Sequence, residues 1–397
     1  MINMKQKRII PIDYYENLKD FRQVFSGSLI KPILNLFIAL KLPYLFQFIP
    51  KNIFYTISKG FSWVFYGEYK KEMMETTRKI MGDLIDKKYK NLSPSQKEWI
   101  ISEIVYQNCI HMAEMFLDIM TLLPYFYKSK NLDPFFKIKG IENLHKALEK
   151  KKGVVAISGH IGNYLFLWAY MALKGYKINF ILEYSSFIGI LDLLRRCGIK
   201  LIPVSRPENE NIKDKIKGKI EKAFKNNEIV VVMQDAGLRH YSLINFFDIP
   251  CHTPLGGASF AIKYGAPIIP IFIKSHAKKQ LHEITIYPEF KIENNNTDNE
   301  LDLILYNTFR LNKLLEKEIK KNFVYWNNLA IFHIRKKFSK VFKFDSKPLL
   351  DIIINEITFF KNYLQFSYEI DRDDDSIYKI LDNTQKALEN LKKNQNL

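Results

Sequence analysis

The chain contains few cysteines and fewer acidic than basic residues. The first property argues against a disulfide framework, and the second indicates the kind of partner the protein binds. Three cysteines in 397 residues, Cys109, Cys197 and Cys251, have neither the density of a disulfide framework nor metal-ligand spacing. We therefore expect them to be small buried residues in a reducing compartment. Aspartate and glutamate number 42 against 60 lysines and arginines, and the resulting net charge of +18 predicts anionic partners, either nucleic acid or an anionic membrane.

Several catalytic and binding motifs are also missing. The chain has no G-x-S-x-G elbow, no Walker loop ending in Lys-Ser/Thr, no HExxH and no paired CxxC. It has no zinc-finger, KH or RNP signature either, so nucleic acid is not the expected partner of the positive charge. The sequence predicts neither a metal site nor a cofactor.

A long uninterrupted apolar run is lacking near the N-terminus. The stretch from Leu29 to Ile49 is apolar but is broken by lysines and prolines, which makes it a marginal bilayer-spanning helix. We interpret residues 29 to 66 as an interfacial or single-pass membrane anchor, with Lys51 and Lys59 facing anionic lipid. The alternative is a helical layer that packs on the domain. The preceding residues lack a signal-peptide core, so secretion is not expected.

The most informative stretch is GVVAISGHIGNY, from Gly153 to Tyr164. Residues 154 to 157 predict a buried parallel strand, and residues 163 to 174 predict a buried helix. His160 therefore lies in the turn between them, where an open α/β sheet binds its ligands and a helix start presents free backbone N–H groups. The alternative is a structural histidine that caps the helix or bonds a turn carbonyl.

Two other predicted strands end in carboxylates. Ile178 to Leu182 is followed by Glu183, and EIVVVMQD ends in Gln234 and Asp235. Because the carboxyl ends of parallel strands share one edge of a sheet, both carboxylates are candidate partners of the His160 imidazole.

Glycines accompany these strand ends. Gly159 and Gly162 flank His160, and we expect them to leave the backbone open to a substrate. The run CHTPLGGASFAIKYGAP predicts a further helix with Gly256 and Gly257 in its first turn, where an acyl chain or carbonyl could lie close to the backbone.

Several of these runs resemble motifs of the lysophospholipid acyltransferase superfamily, in the branch that includes bacterial lipid A late acyltransferases. They are SGHIGNY, VVVMQDAGLRH, FFDIPCHTPLGGASFAIKYGAPIIPIFI and NTFRLNKLLEKEIKKNFVYWNNLAIFH, and the likeness extends from about Phe21 to Lys337. The resemblance implies transfer of a fatty acyl chain from a thioester donor, acyl carrier protein or acyl-CoA, to a hydroxyl of a glycolipid such as a lipid A precursor. A lysophospholipid or other glycolipid is the alternative acceptor, and a catalytically impaired lipid-binding relative is the alternative class.

The resemblance also implies a cellular location for the protein and roles for several residues. It implies lipopolysaccharide biosynthesis at the cytoplasmic face of the inner membrane. His160 would be the general base on the acceptor hydroxyl, and the amides near Gly162 and Asn163 would stabilise the oxyanion. Arg196, beside Arg195, would bind an anionic acceptor, although a helix C-terminus also favours cations.

One position departs from the family pattern. Leu165 stands where the family carries the acid of its His-x4-Asp/Glu motif. We expect Glu183 to replace that acid. Asp235 matches the acidic residue of another motif, and we place it second because we expect it to pair with a basic residue such as Arg239.

The predicted fold is an α/β domain with a mostly parallel sheet and helices on both faces, spanning residues 126–337. A membrane-associating helical region, 1–125, precedes it. A C-terminal helical extension, 338–397, follows, and its composition indicates no role.

Overall fold

A computed structural model describes residues 51–127, 132–182, 194–203, 210–236, 242–247, 249–276, 281–294, 300–329 and 332. Most of the predicted membrane anchor lies outside these residues, as does the predicted extension at 338–397. The domain boundaries suggested by the sequence therefore remain predictions.

Nine strands form a seven-stranded sheet and a separate hairpin among the described residues. The sheet has the order β1-β9-β8-β2-β5-β3-β4, and all its neighbouring strands are parallel except β8 and β9. The hairpin is the antiparallel pair β6 and β7. The strands are β1 (Phe136–Lys139), β2 (Val154–Ser158), β3 (Ile178–Leu182), β4 (Lys200–Pro203), β5 (Ile229–Met233), β6 (Ser242–Phe246), β7 (Ile249–Thr253), β8 (Ile268–His276) and β9 (Leu281–Ile286).

Helices cover both faces of the sheet, as the sequence predicts. The α-helices are α1 (Lys51–Lys88), α2 (Pro94–Tyr127), α3 (Ile141–Glu149), α4 (Tyr164–Leu173), α5 (Glu210–Lys225), α6 (Gly256–Tyr264) and α7 (Glu300–Lys321). Alternate residues of β2 point to opposite faces: Val154 and Ala156 pack in the cluster with α3 and α4, and Val155 and Ile157 pack with α5, α6 and α7. Every residue of β2 is buried, because a parallel strand inside such a sandwich has no solvent face.

The first two helices also pack on the domain. Met73 of α1 and Val105 of α2 share an apolar cluster with Leu315 of α7 and with Trp326. Ser93 followed by Pro94 is a pattern that predicts a helix start, with Ser93 as the N-cap and Pro94 at the first helical position. Helix α2 begins there, and Ser93 Oγ accepts the Gln96 N–H at 3.3 Å while Gln96 Oε1 accepts the Ser93 N–H at 2.9 Å. No helix within the described ranges is long and apolar enough to cross a bilayer.

The strand order decides which carboxyl ends are neighbours. β2 lies between β8 and β5, and β3 lies on the far side of β5. Neighbouring strands are about 4.8 Å apart, so the end of β5 lies one spacing from the end of β2, and the end of β3 lies roughly 10 Å away. The carboxyl end of β5, and not that of β3, is thus placed beside the carboxyl end of β2.

Candidate active site

His160 lies in the turn between β2 and α4 and is bonded to Asp235, the second residue after β5. His160 Nδ1 is 2.7 Å from Asp235 Oδ1. The backbone N–H of His160 also points at this carboxylate, at 3.1 Å from Oδ1 and 3.0 Å from Oδ2. The side chain and the backbone of the histidine are therefore oriented by one acid.

Asp235 is fully buried, and further donors hold its carboxylate. Its Oδ2 accepts the indole N–H of Trp326 at 2.9 Å and the side-chain amide of Asn328 at 3.1 Å. Asn328 also donates to the backbone carbonyl of Asp235 at 3.2 Å. Because hydrogen bonds donated to a carboxylate favour its ionised form, these contacts offset the cost of burying the charge.

The contacts at Nδ1, with Asp235 Oδ1 and with the Asn328 amide nitrogen 3.1 Å away, indicate which imidazole nitrogen is available for chemistry. An ionised carboxylate only accepts, so the proton of a neutral His160 is on Nδ1. The Nε2 lone pair is left, and Nε2 has no hydrogen-bond partner within the described ranges, where 21% of the His160 side chain is exposed. A neutral imidazole with a free, accessible Nε2 is able to remove a proton from a hydroxyl.

The turn that carries His160 is held by the residues after α7. Gly162 N donates to Tyr325 O at 2.8 Å, and Asn327 N donates to His160 O at 2.7 Å. Asn327 Nδ2 donates in addition to Gly162 O at 2.8 Å. Helix α2 braces this segment through Asn108, whose side-chain amide donates to the carbonyls of residues 324 and 326, both at 2.9 Å.

Tyr164, the first residue of α4, lies edge-on to the imidazole. The two ring centroids are 4.7 Å apart with planes at 73°. Burial, and then the charge of Asp235, raise the pKa of Tyr164 well above its usual range. The phenol thus stays protonated at neutral pH, so Tyr164 packs against the base and does not compete with it.

Asp235, which the sequence placed second, is the carboxylate that contacts His160 among the described residues. The sequence preferred Glu183 as the partner of His160 and expected Asp235 to pair with a basic residue such as Arg239. Glu183 and Arg239 lie outside the described residues, so both preferences stay predictions. The contact of Asp235 with His160 follows from the strand order, because β3 follows β2 in sequence but β5 is the neighbour of β2 in the sheet.

The expected oxyanion donors are already used. The Gly162 N–H is taken by Tyr325 O, and the Asn163 N–H donates to Ser275 Oγ at 3.2 Å. Ile161 N likewise donates to Gly159 O at 2.7 Å. The backbone amides of the turn therefore fix its shape and are not available to a substrate.

The glycines make room for the protein itself and not for a ligand. A Cβ on Gly159 would lie 2.8 Å from Leu315 Cδ1, and one on Gly162, where φ is +58°, would lie 2.7 Å from Ile273 O. A Cβ on Gly257 would lie 2.7 Å from Ile157 Cδ1. The predicted openness of these three positions to substrate is thus corrected: each permits close packing of the turn or of α6.

Arg195 and Arg196 are exposed and are not brought to His160. They precede β4, the outermost strand beyond β3, and so lie near the amino-terminal edge of the sheet. His160 and Asp235 are at the carboxyl-terminal edge. The structure therefore does not support a role for these arginines in holding an acceptor beside the imidazole.

Leu165 confirms that α4 carries no acid at the position of the family motif. Its side chain is partly buried and packs against the apolar cluster beneath α3 and α4. A carboxylate here would enter an apolar layer, whereas Asp235 supplies the charge from the neighbouring strand.

Sequence reasoning missed Trp326, Asn327 and Asn328. They lie in the run FVYWNNLAIFH, which was included in the resemblance without any chemistry assigned to it. A signal was present, since two consecutive amides beside a tryptophan in an otherwise apolar run indicate buried hydrogen bonding. In the part of the chain that the structure describes, no group of three or more His, Cys, Asp or Glu side chains is arranged to hold a metal ion.

A family profile identifies the family to which the chain belongs. The profile of the family described as bacterial lipid A biosynthesis acyltransferase matches residues 25–330. No curated protein sequence matches the chain. Among solved structures, the 1-acyl-sn-glycerophosphate (LPA) acyltransferase PlsC from Thermotoga maritima is similar at 13% identity and a TM-score of 0.30, over 68% of this chain and 98% of that one. Because the family profile spans most of the chain and includes the whole His160 site, this protein is a member of the bacterial lipid A biosynthesis acyltransferase family and is an acyltransferase.

Proposed function

We propose that the protein transfers a fatty acyl chain from a thioester to a hydroxyl of a glycolipid such as a lipid A precursor, with His160 and Asp235 as the catalytic pair. The observation that carries the proposal is the 2.7 Å contact between His160 Nδ1 and Asp235 Oδ1, which leaves Nε2 free. In this proposal Asp235 takes the place of the acid that the family carries at the position of Leu165.

In the proposed reaction the His160 imidazole first removes a proton and later returns it. His160 Nε2 takes the proton of the acceptor hydroxyl as its oxygen attacks the thioester carbonyl, and Asp235 stabilises the imidazolium that forms. The tetrahedral intermediate then collapses, the C–S bond breaks, and the imidazolium returns the proton to the departing thiolate. The amides of Tyr164 and Leu165 are proposed as oxyanion donors, because they open α4 and have no acceptor within the helix.

The proposed donor is acyl carrier protein or acyl-CoA, and the proposed place is the cytoplasmic face of the inner membrane. The net charge of +18 supports contact with an anionic surface. Helix α1 adds an exposed Trp63 near the exposed Lys59 and Lys70, a combination typical of residues at a membrane interface.

An impaired lipid-binding relative is the competing interpretation, and it was based on Leu165. The His160 geometry counts against it, since a scaffold protein does not need a buried acid, an indole and an amide arranged around an imidazole. A scaffold would also tolerate loss of the base.

Acyl transfer from labelled acyl carrier protein and from labelled acyl-CoA tests the proposal, with a lipid A precursor and lysophosphatidic acid as separate acceptors. Wild type should acylate the lipid A precursor, and His160→Ala should lose about 10²- to 10⁴-fold in rate while it stays folded. The exposed His145→Ala is a matched control and should keep the wild-type rate.

Two results would contradict the proposal. If His160→Ala transferred acyl chains at the wild-type rate, His160 would not be the general base. If the folded wild-type protein were inactive with every donor and acceptor, the non-catalytic lipid-binding interpretation would be favoured. Preference for lysophosphatidic acid would keep the chemistry and change the acceptor.

A further inference from the structure

A second hydrogen-bonded chain reaches the catalytic turn from β8, which lies on the other side of β2 from β5, and the proposed reaction does not use it. Ser275 Oγ, at the end of β8, accepts the backbone N–H of Asn163 at 3.2 Å. The same oxygen is 3.0 Å from Nδ1 of His282, on the neighbouring strand β9. All three residues are at most 2% exposed, so solvent cannot substitute for any of these contacts.

Buried titratable groups of helix α2 lie next to His282. His282 Nε2 is 3.9 Å from Asp118 Oδ2, too far for a hydrogen bond, and Asp118 is also buried. Burial, with the nearby charge of Glu114, raises the pKa of Asp118 well above its usual range. Burial, and then His282, lower the pKa of the neighbouring His111 to about 3. Burial therefore disfavours the charged forms of Asp118 and His111 beside His282.

The turn rests directly on β8 at the point where this chain arrives. A Cβ on Gly162 would lie 2.7 Å from Ile273 O and 3.4 Å from Ser275 Oγ. Only Ile161 and Gly162 separate His160 from Asn163. A shift of the Asn163 amide would therefore move the imidazole relative to Asp235, which belongs to a different strand.

We propose that Ser275 and His282 are positioning residues, which hold the start of α4 through the Asn163 N–H and thereby set the His160 imidazole against Asp235. The inference rests on the proposed function of His160. Its physical basis is that His160 and Asp235 come from separate elements, so their 2.7 Å contact requires both elements to be fixed. The residues after α7 fix one side of the turn, and Ser275 with His282 fix the other.

The test compares Ser275→Ala with Ile284→Val in the full chain. Ile284 lies on β9 two residues from His282 and is completely buried, so its truncation perturbs the same layer without touching the hydrogen-bonded chain. Ser275→Ala should lower kcat by about tenfold to a hundredfold with little change in KM, because a small misplacement of a catalytic group costs rate more than binding. Ile284→Val should lower the unfolding temperature and leave kcat near the wild-type value.

A spectroscopic measurement separates this inference from the proposed function. In protein labelled with ¹³C-histidine, the His160 ring resonance, assigned by its loss in His160→Ala, should move in Ser275→Ala and stay in place in Ile284→Val. This readout needs no substrate. An unmoved His160 resonance in Ser275→Ala, or a kcat equal to that of Ile284→Val, would overturn the positioning role even if His160 is essential. If instead His160→Ala keeps full activity while the resonance moves, the positioning contact stands and the proposed function fails.

His282→Leu combined with Ser275→Ala provides a second check. Residues that act through one chain are not additive, so the double variant should lose no more kcat than the more impaired single variant. Losses that multiply would show that the two residues act separately and would contradict the proposal. Should His282→Leu not fold, the Ser275→Ala comparison decides by itself.

Discussion

Strand β5 carries a buried carboxylate at each end, and the two ends have opposite roles. Glu228, just before the strand, is bonded to Lys200 Nζ at 2.6 Å and to Asn179 Nδ2 at 2.8 Å. Asp235, just after it, is bonded to His160, Trp326 and Asn328. Both acids are almost fully buried, at 3% and 0% exposure, so burial alone does not mark a functional acid.

The two acids differ in the residue with which each is paired. The Lys200 side chain is 58% exposed, and its ion pair with Glu228 holds the amino-terminal edge of the sheet. His160 is a titratable base with one nitrogen committed to the acid and one free. A buried acid beside a lysine stabilises a fold, whereas a buried acid beside an imidazole prepares a proton acceptor.

The sharpest test of this contrast replaces each acid by its amide. Asp235→Asn should lower kcat by about 10⁴-fold, because an amide can donate to Nδ1 and leave the imidazole in the wrong tautomer. Glu228→Gln should leave kcat near wild type. Steady-state transfer kinetics on both variants check this. An equal loss of kcat in the two variants would show that the two acids do not differ in their importance for catalysis.

Glu228→Gln should instead lower the free energy of unfolding by about 1–3 kcal/mol. Burial acts to raise the pKa of Glu228, but hydrogen bonds from Lys200 and Asn179 outweigh it and leave the pKa below its usual range. The contribution is therefore present above the pKa of an unfolded-state glutamate, about 4.3, and is lost as the pH falls through the lower folded-state pKa. Denaturant unfolding of wild type and variant at several pH values measures it, and a gap that persists in acid would argue against the ionised pair.

Trp326→Phe should have an intermediate effect. The phenyl ring keeps most of the packing but loses the N–H that Asp235 Oδ2 accepts, so we expect kcat to fall by about tenfold, equivalent to one hydrogen bond to a charged group. Phe323→Leu, in the same apolar cluster, is the control and should affect stability only. Equal kcat values for the two variants would show that the indole N–H has no catalytic importance.

Membrane binding should depend on salt. If α1 meets anionic lipid through Lys59 and Lys70, each basic residue contributes about 1 kcal/mol at low salt, and this weakens as the Debye length shortens. Flotation with anionic vesicles should therefore decrease, without vanishing, between low and high salt. Trp63→Ala should lower the residual binding, and binding indifferent to both salt and Trp63 would place the contact elsewhere.

The smallest effect on rate is expected at the family's own acid position. Leu165→Glu should not raise kcat, because Asp235 already occupies Nδ1, and it should reduce stability by placing a charge in an apolar layer. A large gain in kcat would show that Asp235 is a poor substitute for the missing acid.

Much of the fold could be predicted from the sequence. The local patterns predicted β2, the turn with His160, helix α4, β5 with Asp235 at its end, and the capped start of α2, because each depends on residues close in sequence. The resemblance also predicted the acyltransferase family that the profile match shows. The site was predicted less completely. Asp235 was placed second to Glu183, which lies outside the described residues, and the glycines were assigned to substrate although they permit close packing.

The sequence by itself determined which residues stand at strand ends, since hydrophobic runs and their breaks are local properties. Only the tertiary structure decided which ends meet. The order β8-β2-β5-β3 places Asp235, 75 residues from His160, within hydrogen-bonding distance of it, and the return of the chain after α7 brings Trp326 and Asn328 to the same carboxylate. Strand order and long-range return depend on how whole apolar faces pack together, and no short stretch of sequence contains that information.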